Sequence, residues 1–224
     1  MTGALIGRGR DCDVFENGPG RVLRRNRAGT STEVEALTMR HVAAHGYPCP
    51  EVYDAQGPDI VMQRLDGPTM LDDMSRRPWS MAASARTLAD LIDRLGRLPL
   101  PEHDLRVGVG AGELIAHLDL HPNNVVLTSD GPVVIDWSNT AVGVSGLDAA
   151  NTWLTLTAGQ PDGSAVMQTF VTAGRRFFVR RFLAATDRAA AVAQLPAALD
   201  IRLRDPNLST DERATMQALV DEVT

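Results

Sequence analysis

Lysine is missing from this chain: all 22 of its basic residues other than histidine are arginines. Any mechanism that requires a lysine is therefore excluded. Cysteine is nearly absent as well. Cys12 and Cys49 are too few for a disulfide scaffold and sit too far from other ligand types for a zinc site. No apolar run approaches the roughly 20 residues that span a bilayer. The opening MTGALIGRGRDCD has no basic segment followed by an apolar stretch and a cleavage site, so no secretory signal and a cytoplasmic location are expected. A basic surplus is lacking too, since the net charge is -6, which argues against a general nucleic-acid binder.

What remains is a globular chain of 224 residues with 44% hydrophobic content, enough for one large domain or two small lobes. Its texture changes once. Residues 1 to about 63 read as short strands at Ala4–Ile6, Val14–Phe15, Arg21–Arg24, Val52–Asp54 and Ile60–Gln63, separated by turns such as ENGPG and AQGPD. One helix interrupts them, from Thr30 to Gly46. It is expected to open with capping boxes (Thr30 with Glu33, Thr32 with Glu35) and to bury Val34, Leu37 and Val42. After Gly67 the pattern turns helical, with a short helix in PTMLDDMSRR and a longer one at Trp79–Leu95 carrying Leu88, Leu91, Ile92 and Leu95. Further helices are expected at Leu147–Thr157, Ser164–Ala185, Ala189–Leu199 and Thr210–Val223.

The chemistry concentrates in HLDLHPNNVVLTSDGPVVIDWSN, residues 117–139. Val125–Leu127 and Val133–Ile135 read as strands joined by a tight Asp-Gly-Pro turn. Such a hairpin returns Asp136 to the neighbourhood of Asp119 and Asn124. Two carboxylates and an amide at one mouth need a cation or a hydrogen-bond network. Hard oxygen donors of this kind suit Mg²⁺, which completes its shell with water and substrate phosphates. Near the N-terminus, Gly7-x-Gly9 between two strands would let the backbone approach phosphate oxygens. Arg24 shares a strand face with Val22, so its cation needs an acid, and Glu33 or Glu35 on the following helix is available.

In these residues the chain resembles the aminoglycoside phosphotransferase and choline kinase family, which shares the protein-kinase fold. His117, Asp119 and Asn124 match H-x-D-x-x-x-x-N, and Asp136 in IDW matches the metal-binding aspartate downstream. The glycine loop, the strand with its cation, Glu35–Ala36, HGYPCPEV and the hinge-like VMQRLDG fall in the family's order, over roughly residues 4 to 155. The resemblance implies an α+β bilobal fold. Residues 1–65 would form the N-terminal antiparallel β-sheet lobe with one helix, and residues 66–224 a mainly helical lobe carrying the catalytic loop and substrate pocket. It also implies ATP- and Mg²⁺-dependent transfer of the γ-phosphoryl group to a small-molecule hydroxyl, with no nucleic-acid or membrane partner. Asp119 would orient the acceptor and take its proton, and Asn124 and Asp136 would hold Mg²⁺. Gly7 and Gly9 would cover the phosphates, Arg24 with Glu35 would stand where the family's lysine pair stands, and the backbone near Gln63–Leu65 would meet the adenine. His117 would fix the loop, and Asp148 would brace it.

The sequence departs from the family's pattern in four places. Cys12 replaces a third loop glycine, Arg24 replaces the phosphate-gripping lysine, Trp137-Ser138 follows the metal aspartate, and the segment between hinge and catalytic loop is short, with little room for helical insertions. Other readings stand beside this one. His117-x-Asp119-x-His121 could be the metal triad of a hydrolase, and Glu33 and Glu35 could be first-turn acids favouring the helix dipole. Arg24 could be a solvated strand arginine, and its presence in place of the lysine is the motive for a nucleotide-binding regulatory protein without turnover. GRRFFVRRF reads as an amphipathic helix rather than a basic patch. Asp200, Asp205, Asp211 and Glu212 could line the pocket of a cationic substrate or be merely exposed.

Overall fold

The computed structural model of the protein describes residues 3–9, 11–108, 112–159 and 165–224, with the side chains of 107 and 165–170 left aside. The N-terminal part is a single antiparallel sheet. Strands β1 (Leu5–Arg8), β2 (Cys12–Glu16) and β3 (Arg21–Asn26) form a meander, followed by helix α1 (Glu33–Ala44). Strands β4 (Val52–Gln56) and β5 (Asp59–Gln63) complete the order β1-β2-β3-β5-β4. The period of two along β3 turns Val22 and Arg24 to one face, and both are buried.

Helix α1 differs from the sequence expectation in two respects. Val34 and Leu37 are exposed, while Ala36, Thr38, Met39 and Val42 are buried. The helix is rotated so that Glu35 reaches Arg24, and this buried ion pair outweighs the apolar preference of two surface positions. The capping boxes are also absent. Thr32 Oγ1 donates instead to the carbonyls of Gly57 (3.1 Å) and Asp59 (3.0 Å), tying the helix start to the β4–β5 turn. At the other end Gly46, at φ +75°, closes α1 as expected. The N–H of Gly46 bonds Ala43 O and that of Tyr47 bonds Val42 O, a Schellman closure that needs the left-handed glycine.

Beyond the hinge come α2 (Met70–Arg76), capped by Thr69, and α3 (Met81–Leu95). Leu88, Leu91 and Leu95 are buried along α3, but Trp79 falls in a preceding 3-10 turn and is 78% exposed. Then follow β6 (Arg106–Val107), β7 (Leu114–Ala116), the hairpin β8 (Val125–Thr128) and β9 (Gly131–Val134), and β10 (Ala141–Gly143). Strands β6, β10 and β7 make a small sheet without a signal in the sequence, each strand being too short to show a period. Four helices end the chain: α4 (Leu147–Ala158), α5 (Ala165–Leu183), α6 (Arg188–Leu203) and α7 (Thr210–Val223). The expected start of α5 at Ser164 lies outside the described residues. Helix α4 is the centre of this lobe, buried from Leu147 to Leu154 and packed against the other three. In α5, Phe178 and Phe182 are buried while Arg176, Arg180 and Arg181 are exposed, so GRRFFVRRF is an amphipathic stripe. No helix among the described residues is long and apolar enough to cross a membrane.

The rotation of α1 is testable by urea denaturation. Met39→Ala should cost about 2–5 kcal/mol, whereas Val34→Ala should stay within about 0.5 kcal/mol of the parent. Equal losses at both positions would contradict the observed face.

Candidate active site

The loop between β7 and β8 is held from beneath by α4. Asp148, in the first turn of α4, accepts hydrogen bonds from the main-chain N–H groups of His117 (2.8 Å) and Leu118 (2.7 Å). Asn151 donates to Leu118 O, and Thr152 Oγ1 donates to Leu120 O (2.6 Å). Three polar side chains on successive turns of one buried helix thus satisfy four polar groups of an irregular segment. The Asp148 carboxyl is wholly buried, and burial pushes its pKa up against the pull of His117 and the two N–H groups. Leu118 is held at φ +61°, a conformation a leucine rarely adopts. That turn directs Asp119 outward from the loop.

His117 is buried against Trp137, with ring centroids 4.9 Å apart. Its Nδ1 accepts from the Asp119 N–H (3.3 Å), so Nε2 carries the proton and donates to Ile135 O (3.2 Å). Both ring nitrogens are spent on the backbone. The metal-triad reading therefore fails, and no three-residue His, Cys, Asp or Glu group suited to a metal occurs among the described residues.

Asn124 and Asp136 stand at the open end of the β8–β9 hairpin, where the Ile135 N–H bonds Asn124 O (3.0 Å). Asn124 Nδ2 donates to Asp119 O (2.8 Å) and Oδ2 (3.3 Å), which leaves its amide oxygen without a protein donor among the described residues. Asp136 sits at φ +64°, accepts from Ser138 Oγ (2.9 Å) and keeps 43% of its side chain exposed. The hairpin is pinned to the hinge segment by Leu127 N–H on Pro68 O and to the N-terminal lobe by Val134 N–H on Pro48 O, both 2.9 Å. Gly67 makes the first contact feasible, because a Cβ there would lie 2.1 Å from Leu127 O.

Arg24 completes this corner. Its Nη2 bonds Glu35 Oε2 and its Nη1 bonds Asp136 Oδ1 at 3.3 Å. Burial opposes the charge, but the carboxylates of Glu35 and Asp136 more than offset it and raise the guanidinium pKa. Arg24 is therefore a buried, paired cation and not a solvated strand arginine. Glu35 also accepts from the Trp137 main chain, so it does more than favour a helix dipole. Two carboxylates face one guanidinium here, and Asp136 and Asn124 each retain an oxygen, a donor set that fits a hard divalent cation.

The roof and hinge are more economical. Gly7 pairs with Val14, and the Gly9 N–H is spent on Cys12 O (2.8 Å) inside the β1–β2 hairpin. Arg27 clamps that hairpin, donating to Cys12 O (3.0 Å), Gly9 O (3.1 Å) and Asp13 Oδ1 (2.9 Å). At the hinge, the Gln63 N–H is committed to Glu51 O (2.8 Å) and the Arg64 N–H to Gly20 O (2.9 Å). Leu65 follows, half-buried, with a main chain that takes no hydrogen bond among the described residues.

Residues 100–192, which contain the loop, the hairpin and Asp148, match the sequence model of the phosphotransferase enzyme family. The whole structure aligns with the aminoglycoside phosphotransferase APH(4)-Ia, a thermostable mutant solved with AMP-PNP and hygromycin B. The TM-score is 0.65 at 19% identity, over 98% of this chain and 92% of that one. A choline/ethanolamine kinase family protein from Mesorhizobium loti aligns with a TM-score of 0.53 at 17% identity, over 98% and 86% of the two chains. The streptomycin-ATP complex of APH(2″)-IIa aligns at 0.58 and 16%, over 97% and 92%. This is the aminoglycoside phosphotransferase fold. No curated protein matches the sequence.

Within the phosphotransferase fold, the sequence reading missed one participant. Arg202, in the last turn of α6, donates through Nη1 to Asp119 Oδ1 at 3.1 Å. Nothing local in IRLRD distinguishes it, and only the packing of α6 on α4 brings it 83 positions back along the chain. His121 Nε2 lies 3.6 Å from the same oxygen. Burial lowers the His121 pKa by more than Asp119 raises it, so the imidazole is neutral at pH 7 and Arg202 is the cation on Asp119.

The His121 shift has a stability consequence. The unfolded chain binds a proton at histidine near pH 6.5, while the native chain resists it. The unfolded state then holds more protons, and stability is lost as pH falls through about 6.5. The melting temperature of the parent should therefore drop more steeply between about pH 7 and 5 than that of His121→Gln. Parallel profiles would remove the assignment.

Proposed function

We propose that this protein transfers the γ-phosphoryl group of ATP to a hydroxyl of a small molecule. The observation that carries the reading is the convergence of Asp119, Asn124 and Asp136 at one hairpin mouth, beneath a buried Arg24–Glu35 pair. The family match over residues 100–192 and the shared fold support it. Residues 1–65 serve as the nucleotide lobe and residues 66–224 as the lobe that holds the catalytic loop and the acceptor.

Asp119 receives the acceptor hydroxyl as a hydrogen-bond donor and takes its proton as the new oxygen–phosphorus bond forms. The amide of Asn124 and the guanidinium of Arg202 hold its two oxygens in place, so little reorientation is needed at that moment. Arg24 orients Asp136 and presents positive charge toward the phosphates. The main chain at Leu65 meets the adenine, and the hairpin around Gly7 and Gly9 covers the triphosphate. Mg²⁺, when bound with the nucleotide through Asn124 and Asp136, neutralises charge on the phosphate oxygens.

A γ-labelled ATP screen against metabolites and antibiotics tests the activity directly. Asp119→Asn should lower transfer by about 10²–10⁴-fold while leaving nucleotide affinity intact. Asp136→Ala should weaken Mg²⁺-dependent nucleotide binding itself. ATP binding without transfer to any compound would instead favour a regulatory protein, and unchanged nucleotide affinity in Asp136→Ala would contradict its role.

A further inference from the structure

We propose that Arg202 is a specificity-determining residue, and that the acceptor carries an anionic group, a carboxylate or a phosphate, close to the hydroxyl that is phosphorylated. The inference rests on the phosphotransferase reading and names its substrate class. It starts from which oxygen of Asp119 each neighbour holds. Asn124, on the side of the hairpin and Asp136, takes Oδ2, whereas Arg202 takes Oδ1. Arg202 therefore takes the carboxylate oxygen that Asn124 leaves, the side the proposal gives to the acceptor.

The guanidinium is not fully spent there. Its side chain is 13% exposed, Nε is buried without a partner, and Nη2 makes no hydrogen bond among the described residues. Nη2 is the nitrogen left to donate to a carboxylate or phosphate, while Nε stays shielded inside the protein.

The placement is built rather than incidental. Arg213 on α7 donates to Leu203 O (2.7 Å), Asp205 O (2.6 Å) and Leu208 O (3.2 Å), clamping the segment that follows Arg202. The acids of the same region are engaged locally or exposed. Glu212 is used in the capping box of Ser209, Asp205 accepts from the Asn207 N–H, and Asp200 and Asp211 are exposed.

The reaction sharpens the demand. As the acceptor oxygen bonds to the γ-phosphorus and the bond to the ADP oxygen breaks, the hydroxyl proton passes to Asp119. Arg202 then loses its counter-charge in a poorly solvated position. An anionic group on the acceptor restores the pairing, and an ammonium group there adds repulsion.

The test measures γ-phosphoryl transfer by the whole chain to hydroxyl compounds sorted as carboxylate- or phosphate-bearing, uncharged and ammonium-bearing, for the parent, Arg202→Gln and Arg202→Lys. The parent should favour the anionic set in kcat/KM by at least about tenfold over the ammonium set. Arg202→Gln should lose most of that ratio, chiefly through KM for anionic acceptors, and Arg202→Lys should recover part of it. The ATP-induced shift in Tm should be the same in all three. A parent that prefers ammonium-bearing acceptors, or a Gln variant with an unchanged ratio, overturns the proposal and leaves the phosphotransferase reading standing. Transfer to no member of any set overturns that reading and the proposal with it.

Discussion

One guanidinium joins three elements of this molecule. Arg24 leaves the centre of the N-terminal sheet, meets Glu35 on α1 and reaches Asp136 beyond the β8–β9 hairpin. A cation at that depth is tolerated only when acids surround it. The requirement sets the rotation of α1, which leaves Val34 and Leu37 in solvent to keep Glu35 inside. It also holds the Asp136 carboxylate against the N-terminal sheet. In a chain without lysine, the planar fork of arginine can engage both acids at once through separate nitrogens, which a single ammonium does less readily.

The lower lobe solves a different problem. An irregular loop that projects Asp119 must be satisfied by side chains, because no strand or helix partners its backbone. Helix α4 supplies Asp148, Asn151 and Thr152 on its buried face for that purpose. His117 ties the loop to the far strand, and Trp137 fills the space behind it. Leu118 and Asp136, the non-glycine residues described at positive φ, both belong to this assembly. Backbone strain is thus stored beside Asp119 and at Asp136, and a dense polar network maintains it.

The terminal helices set the surroundings of Asp119. The arrangement of α6 and α7 uses Glu212 and Asp205 in a cap and a turn, and it delivers one arginine to Asp119. A cationic neighbour on Asp119 gives the site a polarity that the net charge of -6 does not suggest. Local field and total charge are separate quantities, and the local one governs recognition.

The division between sequence and tertiary structure follows sequence distance. Asp119, Asn124 and Asp136 were legible because a tight hairpin brings them together within some twenty positions, and turn chemistry alone specifies such a hairpin. The β-rich start, the helices with strong periods and the need of Arg24 for an acid on the next helix were legible for the same local reason, while the choice of Glu35 over Glu33 came from the packing of α1. The face of α1, the three-stranded sheet of β6, β10 and β7, and the tie of Thr32 to the β4–β5 turn were not, since each depends on a partner far along the chain. Arg202 is the extreme case, an ordinary helical arginine until α6 packs on α4. Sequence by itself determined which oxygen-bearing side chains meet at the hairpin mouth, because their spacing is a matter of one turn and two short strands. Tertiary packing alone decided which cation stands beside Asp119, because only the burial of helix faces sets how remote elements meet.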